Sequence, residues 1–262
     1  MTALAARRRH PLAPVVLVLL GLVVAGLAYA AAAPGPTAQA APAASQDVAA
    51  GKQLFLANCT SCHGLNAEGR ANAPSLVGVG AAAVDFQVGT GRMPLQNTSP
   101  QAPAAMGSVR FSPEEIRLLA AYVASLGPGP SIPSADQIAT TGDATKGGEL
   151  FRTNCAMCHS FAGKGGALTK GKYAPDLSNT TPQHIYEALE TGPQSMPVFS
   201  DTSLSPKDKQ DIITWLRTIN TAPAPGGISL GSLGPVNEGL VGWIVGLVAL
   251  IGCAVWLGAK SS

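Results

Sequence analysis

The two longest apolar runs of the hydrophobic pattern lie at the ends of the chain. The first is a dense stretch at 12–33, and the second runs from Gly239 to Ala259 without a charged residue. At 1.5 Å per residue, a helix of the second length spans about 31 Å, the thickness of a bilayer core. This run predicts a transmembrane helix over 236–259, with a buried helix of a soluble domain as the alternative.

The N-terminal run has the layout of an export signal. Three arginines at 7–9 precede the apolar stretch, and small-x-small cleavage sites occur at 28–30 and 38–40. Residues 1–40 are therefore expected to be a signal peptide or an uncleaved signal anchor, and both predict that the middle of the chain is exported. Lys260, just beyond the second apolar run, favours a cytoplasmic C-terminus.

Between the two runs, apolar positions recur at helical spacing. The predicted helices cover 48–58, 112–126, 144–154 and 205–219. The second and fourth of them begin at a Ser-Pro pair, whose serine can cap the first helical turn. No alternating pattern of useful length predicts a strand, so the expected fold class is mainly α.

The middle of the chain contains the same pattern twice. The matched positions are Gly51, Leu54, Phe55, Asn58, Cys59, Cys62, His63, Pro74, Met93 and Pro94 against Gly147, Leu150, Phe151, Asn154, Cys155, Cys158, His159, Pro175, Met196 and Pro197. Such a repeat predicts two copies of one structural unit. We call residues 47–126 the first module and 143–221 the second module; a linker at 127–142 joins them, and another at 222–235 precedes the C-terminal helix.

Charge is balanced within each module. The first module contains five acidic and five basic residues, and the second contains eight of each. Proteins that bind nucleic acids carry a surplus of Lys and Arg that neutralises phosphates. The balance therefore excludes nucleic acid as a partner.

Four of the five cysteines fall in two Cys-x-x-Cys-His motifs, Cys59–His63 and Cys155–His159. This motif is the attachment signature of c-type haem, in which the two thiols form thioethers and the adjacent histidine binds the iron. A zinc site, a redox-active dithiol and a structural disulfide are alternatives, but zinc needs a second pair of ligands in each module. Small modules also have little core of their own, which a haem supplies. The motifs predict two covalently bound c-type haems.

The iron of each haem needs a second axial ligand besides the proximal histidines His63 and His159. Met93 and Met196 hold equivalent places in the two modules, each directly before a proline. They are predicted to be the second ligands of the first and second haem. Methionine opposite histidine gives a higher reduction potential than two histidines, so both potentials are expected to be moderate to positive.

Three further features bear on the same sites. Met106 lies in a Pro- and Ala-rich insertion of the first module and is the alternative ligand of the first haem. His184 begins a predicted helix and is expected at the surface or as a cap residue. A backbone carbonyl at Pro74 or Pro175 could accept the proximal histidine N–H and fix the orientation of the ring.

With these features, the two modules resemble class I cytochrome c domains. The residues that carry the resemblance are Gly51, Phe55, Cys59, Cys62, His63, Pro74, Met93 and Tyr122 in the first module and Gly147, Phe151, Cys155, Cys158, His159, Pro175, Met196 and Trp215 in the second. In that family the first and last helices cross at the glycine, with the aromatic residues packed beside it. The resemblance implies two tandem domains of this kind, with a C-terminal transmembrane helix and an N-terminal signal or anchor helix.

The order of segments resembles the dihaem cytochrome c subunits of actinobacterial-type menaquinol/ubiquinol–cytochrome c reductases, the bcc form of complex III. This resemblance implies a plasma-membrane electron-transfer subunit with extracytoplasmic haem domains and no quinol site of its own. The implied partners are the cytochrome b subunit, the Rieske iron–sulfur subunit, a cytochrome c oxidase and membrane lipid. One haem is expected to accept electrons from the Rieske protein, and the pair to pass them to the oxidase.

Two other functions share the soluble part of the pattern. A dihaem subunit of a periplasmic dehydrogenase or of a terminal oxidase is expected to have an anchor at the N-terminus alone, so the C-terminal apolar run favours the reductase. A dihaem peroxidase needs one haem with an open or displaceable distal position, whereas both modules contain a matching methionine.

Overall fold

The computed structural model describes residues 12–32, 45–96, 99–221, 230 and 235–260. The chain divides into two units, Met1–Gln39 and Ala40–Ser262. The helix described in the first unit is α1, Ala13–Ala32, which agrees with the helix expected from the apolar run there. The cleavage site predicted at 38–40 lies outside the described residues.

The described part of the second unit consists mainly of helices, which confirms the predicted fold class. In chain order they are α2 (Ser45–Asn58), α3 (Thr60–His63), α4 (Gly80–Gly89), α5 (Pro113–Ala124), α6 (Ala144–Asn154), α7 (Ala156–His159), α8 (Pro182–Thr191), α9 (Pro206–Thr221) and α10 (Pro235–Lys260). Short 3-10 turns occur at Met106–Ser108 and Thr169–Gly171. Two strands that were not predicted, β1 (Gly166–Ala167) and β2 (Tyr173–Ala174), form an antiparallel pair.

The Ser-Pro pairs start helices as predicted. Ser112 accepts a hydrogen bond from the amide of Glu115, whose carboxylate accepts one from the amide of Ser112, so the two residues form a capping box for α5. Ser205 and Asp208 make the same reciprocal bonds at the start of α9, at 3.2 and 3.0 Å. These caps satisfy backbone donors that a helix leaves without partners at its N-terminus.

In each module the first and last long helices cross at a glycine. A Cβ atom added to Gly51 of α2 would lie 2.0 Å from the carbonyl oxygen of Leu118 in α5. A Cβ atom added to Gly147 of α6 would lie 1.9 Å from the carbonyl oxygen of Asp211 in α9. Only glycine, which has no Cβ atom, lets the two backbones approach this closely. The crossing at a glycine is what the resemblance to class I cytochrome c domains implies.

An aromatic pair packs beside each crossing and belongs to the core of that module. The ring centroids of Phe55 and Tyr122 lie 5.2 Å apart, and those of Phe151 and Trp215 lie 4.5 Å apart. Around the first pair pack Ala67, Ala81, Val84, Phe111, Ile116, Leu119, Ala120 and Val123. Around the second pack Cys155, Ile185, Tyr186, Leu189, Leu204, Ile212, Ile213 and Leu216. Each module therefore has its own hydrophobic core.

The two modules contact each other where α4 meets α8. Asp85 of α4 accepts a hydrogen bond from the side-chain amide of Gln183 at 2.9 Å and lies 3.6 Å from Nε2 of His184. The rings of Phe86 and His184 meet edge to face, with centroids 6.0 Å apart. The His184 side chain is only 12% exposed, so the expectation that it lies at the surface is wrong: it packs against the other module.

The C-terminal apolar run forms one uninterrupted helix, α10. The most apolar 18-residue window of Asn237–Lys260 has a mean hydropathy of 2.5, and none of that window is buried by the described residues. By length and composition this helix can cross a membrane. The alternative, a helix buried in a soluble domain, does not agree with its exposure in the structure. The linker predicted at 222–235 lies outside the described residues except for Leu230 and Pro235.

Candidate haem sites

Both Cys-x-x-Cys-His motifs lie on a short helical turn that follows the first helix of a module. In the first motif the amide of Cys62 donates to the carbonyl of Cys59 at 3.2 Å, and the amide of His63 donates to the same carbonyl at 2.9 Å. The second motif has the same bonds to the carbonyl of Cys155, at 3.1 and 2.9 Å. The spacing of the motif thus gives one turn of backbone in which the histidine directly follows the second cysteine.

The proximal histidines are oriented by proline carbonyls, as expected from the sequence. Nδ1 of His63 lies 2.8 Å from the carbonyl oxygen of Pro74. Nδ1 of His159 lies 3.0 Å from the carbonyl oxygen of Pro175. A ring that donates its Nδ1 proton to a carbonyl has the lone pair of Nε2 free for a metal.

Burial disfavours the charged forms of His159 and Cys155 in the second motif. Burial lowers the pKa of His159, an effect that the bond to Pro175 partly opposes, so the neutral imidazole is favoured. Burial, with a smaller contribution from Cys158, raises the pKa of the Cys155 thiol to about 12. A redox-active dithiol reacts as the thiolate, which is disfavoured at Cys155, whereas the sulfur of a thioether carries no charge.

The second module contains a cavity of about 430 Å³ that brings its predicted site residues together. Its walls include Cys155, Cys158, His159 and Met196, together with Pro175. Most of the remaining wall is apolar, with Phe151, Leu168, Ala174, Leu177, Ile185, Ala188, Leu189, Pro193, Pro197, Phe199, Ile212 and Leu216. Two cysteines, a neutral histidine and a thioether around an apolar space match what a covalently bound haem needs, and the residues present therefore fit that group.

The first module places its predicted residues in the equivalent elements. Cys59 packs half-buried against the core of the module, whereas Cys62 is exposed. Met93 is half-buried after the end of α4, and its amide donates to the carbonyl of Gln87 at 2.9 Å. The side chain of Met106, the alternative ligand, lies outside the described residues.

One part of the second module's cavity was not predicted at all. The first module contributes Phe86, Thr90, Arg92, Gln101 and Ala104 to its wall. Comparison of the two repeats could not reveal this contribution, because it comes from contact between the modules and not from the pattern they share.

Family models match both modules. The model described as "Cytochrome c" matches residues 48–127. The model described as "Cytochrome C oxidase, cbb3-type, subunit III" matches residues 142–216. Cytochrome c domains imply covalently bound c-type haem.

The relatives that match over the whole chain are named as subunits of one complex. The cytochrome bc1 complex cytochrome c subunit of Mycobacterium bovis is 46% identical over 263 residues, covering 97% of this chain and 93% of the relative. The subunit of the same name from Corynebacterium efficiens is 43% identical over 272 residues, covering 97% and 90%. The cbb3-type cytochrome c oxidase subunit FixP of Rhizobium meliloti is 32% identical over 140 residues, only 50% of this chain. The terminal-oxidase alternative is therefore not favoured, and the chain belongs to the family of cytochrome c subunits of the cytochrome bc1 complex, a quinol–cytochrome c reductase.

Proposed function

We propose that each module binds one c-type haem and that the two haems form the electron path through this subunit. The observation that carries the proposal is the cavity of the second module, whose wall contains Cys155, Cys158, His159 and Met196. The first module has the same residue types in the same order, Cys59, Cys62, His63 and Met93. Electron transfer needs a redox group that is held rigidly, and the two cysteines, the histidine and the methionine of each module would hold the haem at four points.

The residues of the chain have separate roles in each site. The cysteine sulfurs would form the thioethers, and Nε2 of the histidine and the sulfur of the methionine would bind the iron. When bound, the haem supplies an iron that gains and loses a single electron. The bonds to the carbonyls of Pro74 and Pro175 fix the histidine rings, while the apolar walls exclude water. Methionine ligation and low polarity both favour the ferrous form, so the potentials are expected to be moderate to positive.

The names of the relatives support partners within the same complex. We propose that one of the two haems receives electrons from a Rieske iron–sulfur subunit, beside a cytochrome b subunit, and that the pair passes them to a cytochrome c oxidase. The names of the relatives support the complex itself. In this arrangement the quinol site belongs to the complex, and the subunit contributes only electron transfer.

The two apolar helices support a membrane location. We propose that α10 spans the plasma membrane with Lys260 on the cytoplasmic side, which places the modules on the extracytoplasmic side. Helix α1 acts as a signal peptide or as a second anchor. Haem attachment outside the cytoplasm is consistent with the basic residues that precede α1.

The proposal is tested by counting covalent haem in the complex. We would tag the C-terminus, purify the complex in mild detergent and measure c-type haem per chain by the pyridine haemochrome method. We expect two. Replacing both cysteines of one motif by serine, Cys59 and Cys62 or Cys155 and Cys158, should each time leave one haem. Cys253→Ser, a cysteine of α10, is the matched control and should leave two.

The same preparation tests the axial ligands. Met93→His and Met196→His should each lower the midpoint potential of a different haem, because a second histidine stabilises ferric iron relative to methionine. Met106→Leu should change neither potential. If Met106→Leu alters one haem and Met93→His does not, Met106 is the ligand. A count of one haem per wild-type chain contradicts the dihaem proposal.

A further inference from the structure

The wall of the second module's cavity contains an arginine from the first module. Among the described residues that line this cavity, Arg92 is the one lysine or arginine. Arg92 is 8% exposed, and no carboxylate of the described residues lies within ion-pair distance of its guanidinium. A buried cation without a counter-ion is unfavourable, so this position is suited to receive an anion.

The neighbours of Arg92 hold its side chain in this position. The guanidinium carbon lies 4.7 Å from the centre of the Phe86 ring, in a cation–π contact. Its chain segment is fixed on both sides: the amide of Ala105 donates to the carbonyl of Thr90 at 2.9 Å, and the amide of Met93 donates to the carbonyl of Gln87. Gly91 has a φ of +69°, and a Cβ atom there would lie 2.5 Å from the carbonyl oxygen of Ala105. The arginine is therefore built into the wall of the cavity.

The two modules are also joined beside this arginine. The side-chain amide of Gln101 donates to the carbonyl of Tyr173 at 2.8 Å, and its oxygen accepts from the amide of Tyr173 at 2.8 Å. Both residues line the cavity. This pair of bonds fixes the first module to β2, next to the proline that orients the proximal histidine. Arg92 thus faces a cavity whose two sides are held together by hydrogen bonds.

The ligand expected in this cavity brings the missing anion. A haem carries two propionate carboxylates, and carboxylates are bound most strongly by guanidinium groups with matching geometry. We infer that Arg92 of the first module binds a propionate of the haem that is attached to Cys155 and Cys158 in the second module. This inference rests on the proposed function, since it needs a haem in the second module. It makes the second haem site a product of both modules.

The inference gives one short segment two roles. Arg92 directly precedes Met93, the proposed ligand of the first haem. The same segment therefore contacts both haems, one through the methionine sulfur and the other through the guanidinium. A fixed positive charge near a haem stabilises the reduced form, which has one positive charge less. Arg92 is thus a positioning residue that raises the potential of the second haem.

Spectroscopic redox titration of the purified complex tests this role. The second haem is first identified as the one whose midpoint potential falls in Met196→His. Arg92→Gln should lower the potential of that same haem and leave the other unchanged, while Arg92→Lys, which retains the charge, should lower it less. Arg110→Gln is the matched control, because Arg110 is an exposed arginine of the same module, and it should change neither potential.

Two outcomes would overturn the inference. An unchanged potential of the second haem in Arg92→Gln shows that no propionate depends on this arginine. A shift confined to the haem that Met93→His identifies shows that Arg92 serves the first haem instead. A haemochrome count on the wild type separates these results from failure of the proposed function: the inference fails when the wild-type chain contains two haems, whereas the function fails when the wild-type chain lacks them. Selective loss of the second haem in Arg92→Gln, but not in Arg110→Gln, supports the inference.

Discussion

At the scale of single residues, the sequence predicted the local chemistry and missed the buried charges. The cysteines and the histidine of each motif must lie close together in any fold, whereas the His159–Pro175 bond joins residues 16 apart and was suggested by the proline that follows the motif in both modules. The pattern of an amphipathic helix instead predicts that its charged residues lie on the solvent-exposed face. Lys209 of α9 is fully buried, paired with Glu190 and, at 2.7 Å, with Asp201. Its partners come from other elements, which a single-helix pattern cannot show.

Glu187 of α8 is the buried charge with the clearest consequence. It is 0% exposed, and burial together with the charge of Asp85 raises its pKa to about 9, although Gln183 opposes this. The folded state therefore binds a proton more tightly than the unfolded state, whose carboxyl has the ordinary pKa of 4.5. The stability this proton provides is fully present below that value and is lost as the pH rises through about 9.

Glu187→Gln should remove this pH dependence, because an amide resembles the protonated acid and does not titrate. Between about pH 6 and pH 9, the free energy of unfolding of the wild type should fall with rising pH. Its slope should be steeper than that of the variant by on the order of 1 kcal/mol per pH unit. Thermal unfolding followed by circular dichroism across this range measures the difference. Glu149→Gln, at an exposed position of the same module, should keep the wild-type dependence. Equal slopes for wild type and Glu187→Gln would refute a protonated carboxyl.

At the scale of elements, helix starts were predictable because their signals are local. Ser112 and Ser205 cap the helices that follow them, and the predicted ends at 126 and 219 differ from the observed ends by two residues each. The pair β1 and β2 was not predictable, since strands of two residues show no alternation. The helix crossings were expected from the resemblance alone, because a glycine in a helix does not indicate which helix it meets.

The second crossing can be tested with one methyl group. Gly147→Ala would place its Cβ atom 1.9 Å from the carbonyl oxygen of Asp211, so α6 and α9 must move apart. We expect a loss of about 3 kcal/mol in the free energy of unfolding of the second module, measured by denaturant titration. Gly107→Ala is the control, as no atom lies within 4 Å of the added Cβ, and it should be close to neutral. Similar stabilities for the two variants would contradict a tight crossing.

At the scale of the whole molecule, the repeat predicted two modules but not their contact. The residues that form it, such as Asp85, Gln101 and His184, are not among the positions that the two repeats share, so the shared pattern gave no sign of the contact. The contact also explains why His184 is buried. The contribution of Arg92 to the second cavity was hidden for the same reason.

The contact between the modules should make them unfold together. Gln101→Ala removes two hydrogen bonds to the backbone of Tyr173 and should weaken the contact by about 1–3 kcal/mol. Differential scanning calorimetry is then expected to show the single transition of the wild type broadening or dividing into two. Gln53→Ala, at an exposed position of α2, should leave the transition unchanged. An unaltered transition in Gln101→Ala would show that the modules unfold independently of this pair.

Both modules contribute to the wall of the second module's cavity, and this limits how the two modules can be separated from each other. Each module looks like a self-sufficient part, with its own core, its own helix crossing and its own attachment motif. Yet a copy of the second module moved into another protein would leave its cavity open on the side that Phe86, Thr90 and Gln101 close. The pair of modules, in this order, is therefore the smallest piece that can be duplicated, transplanted or expressed separately with the second site intact.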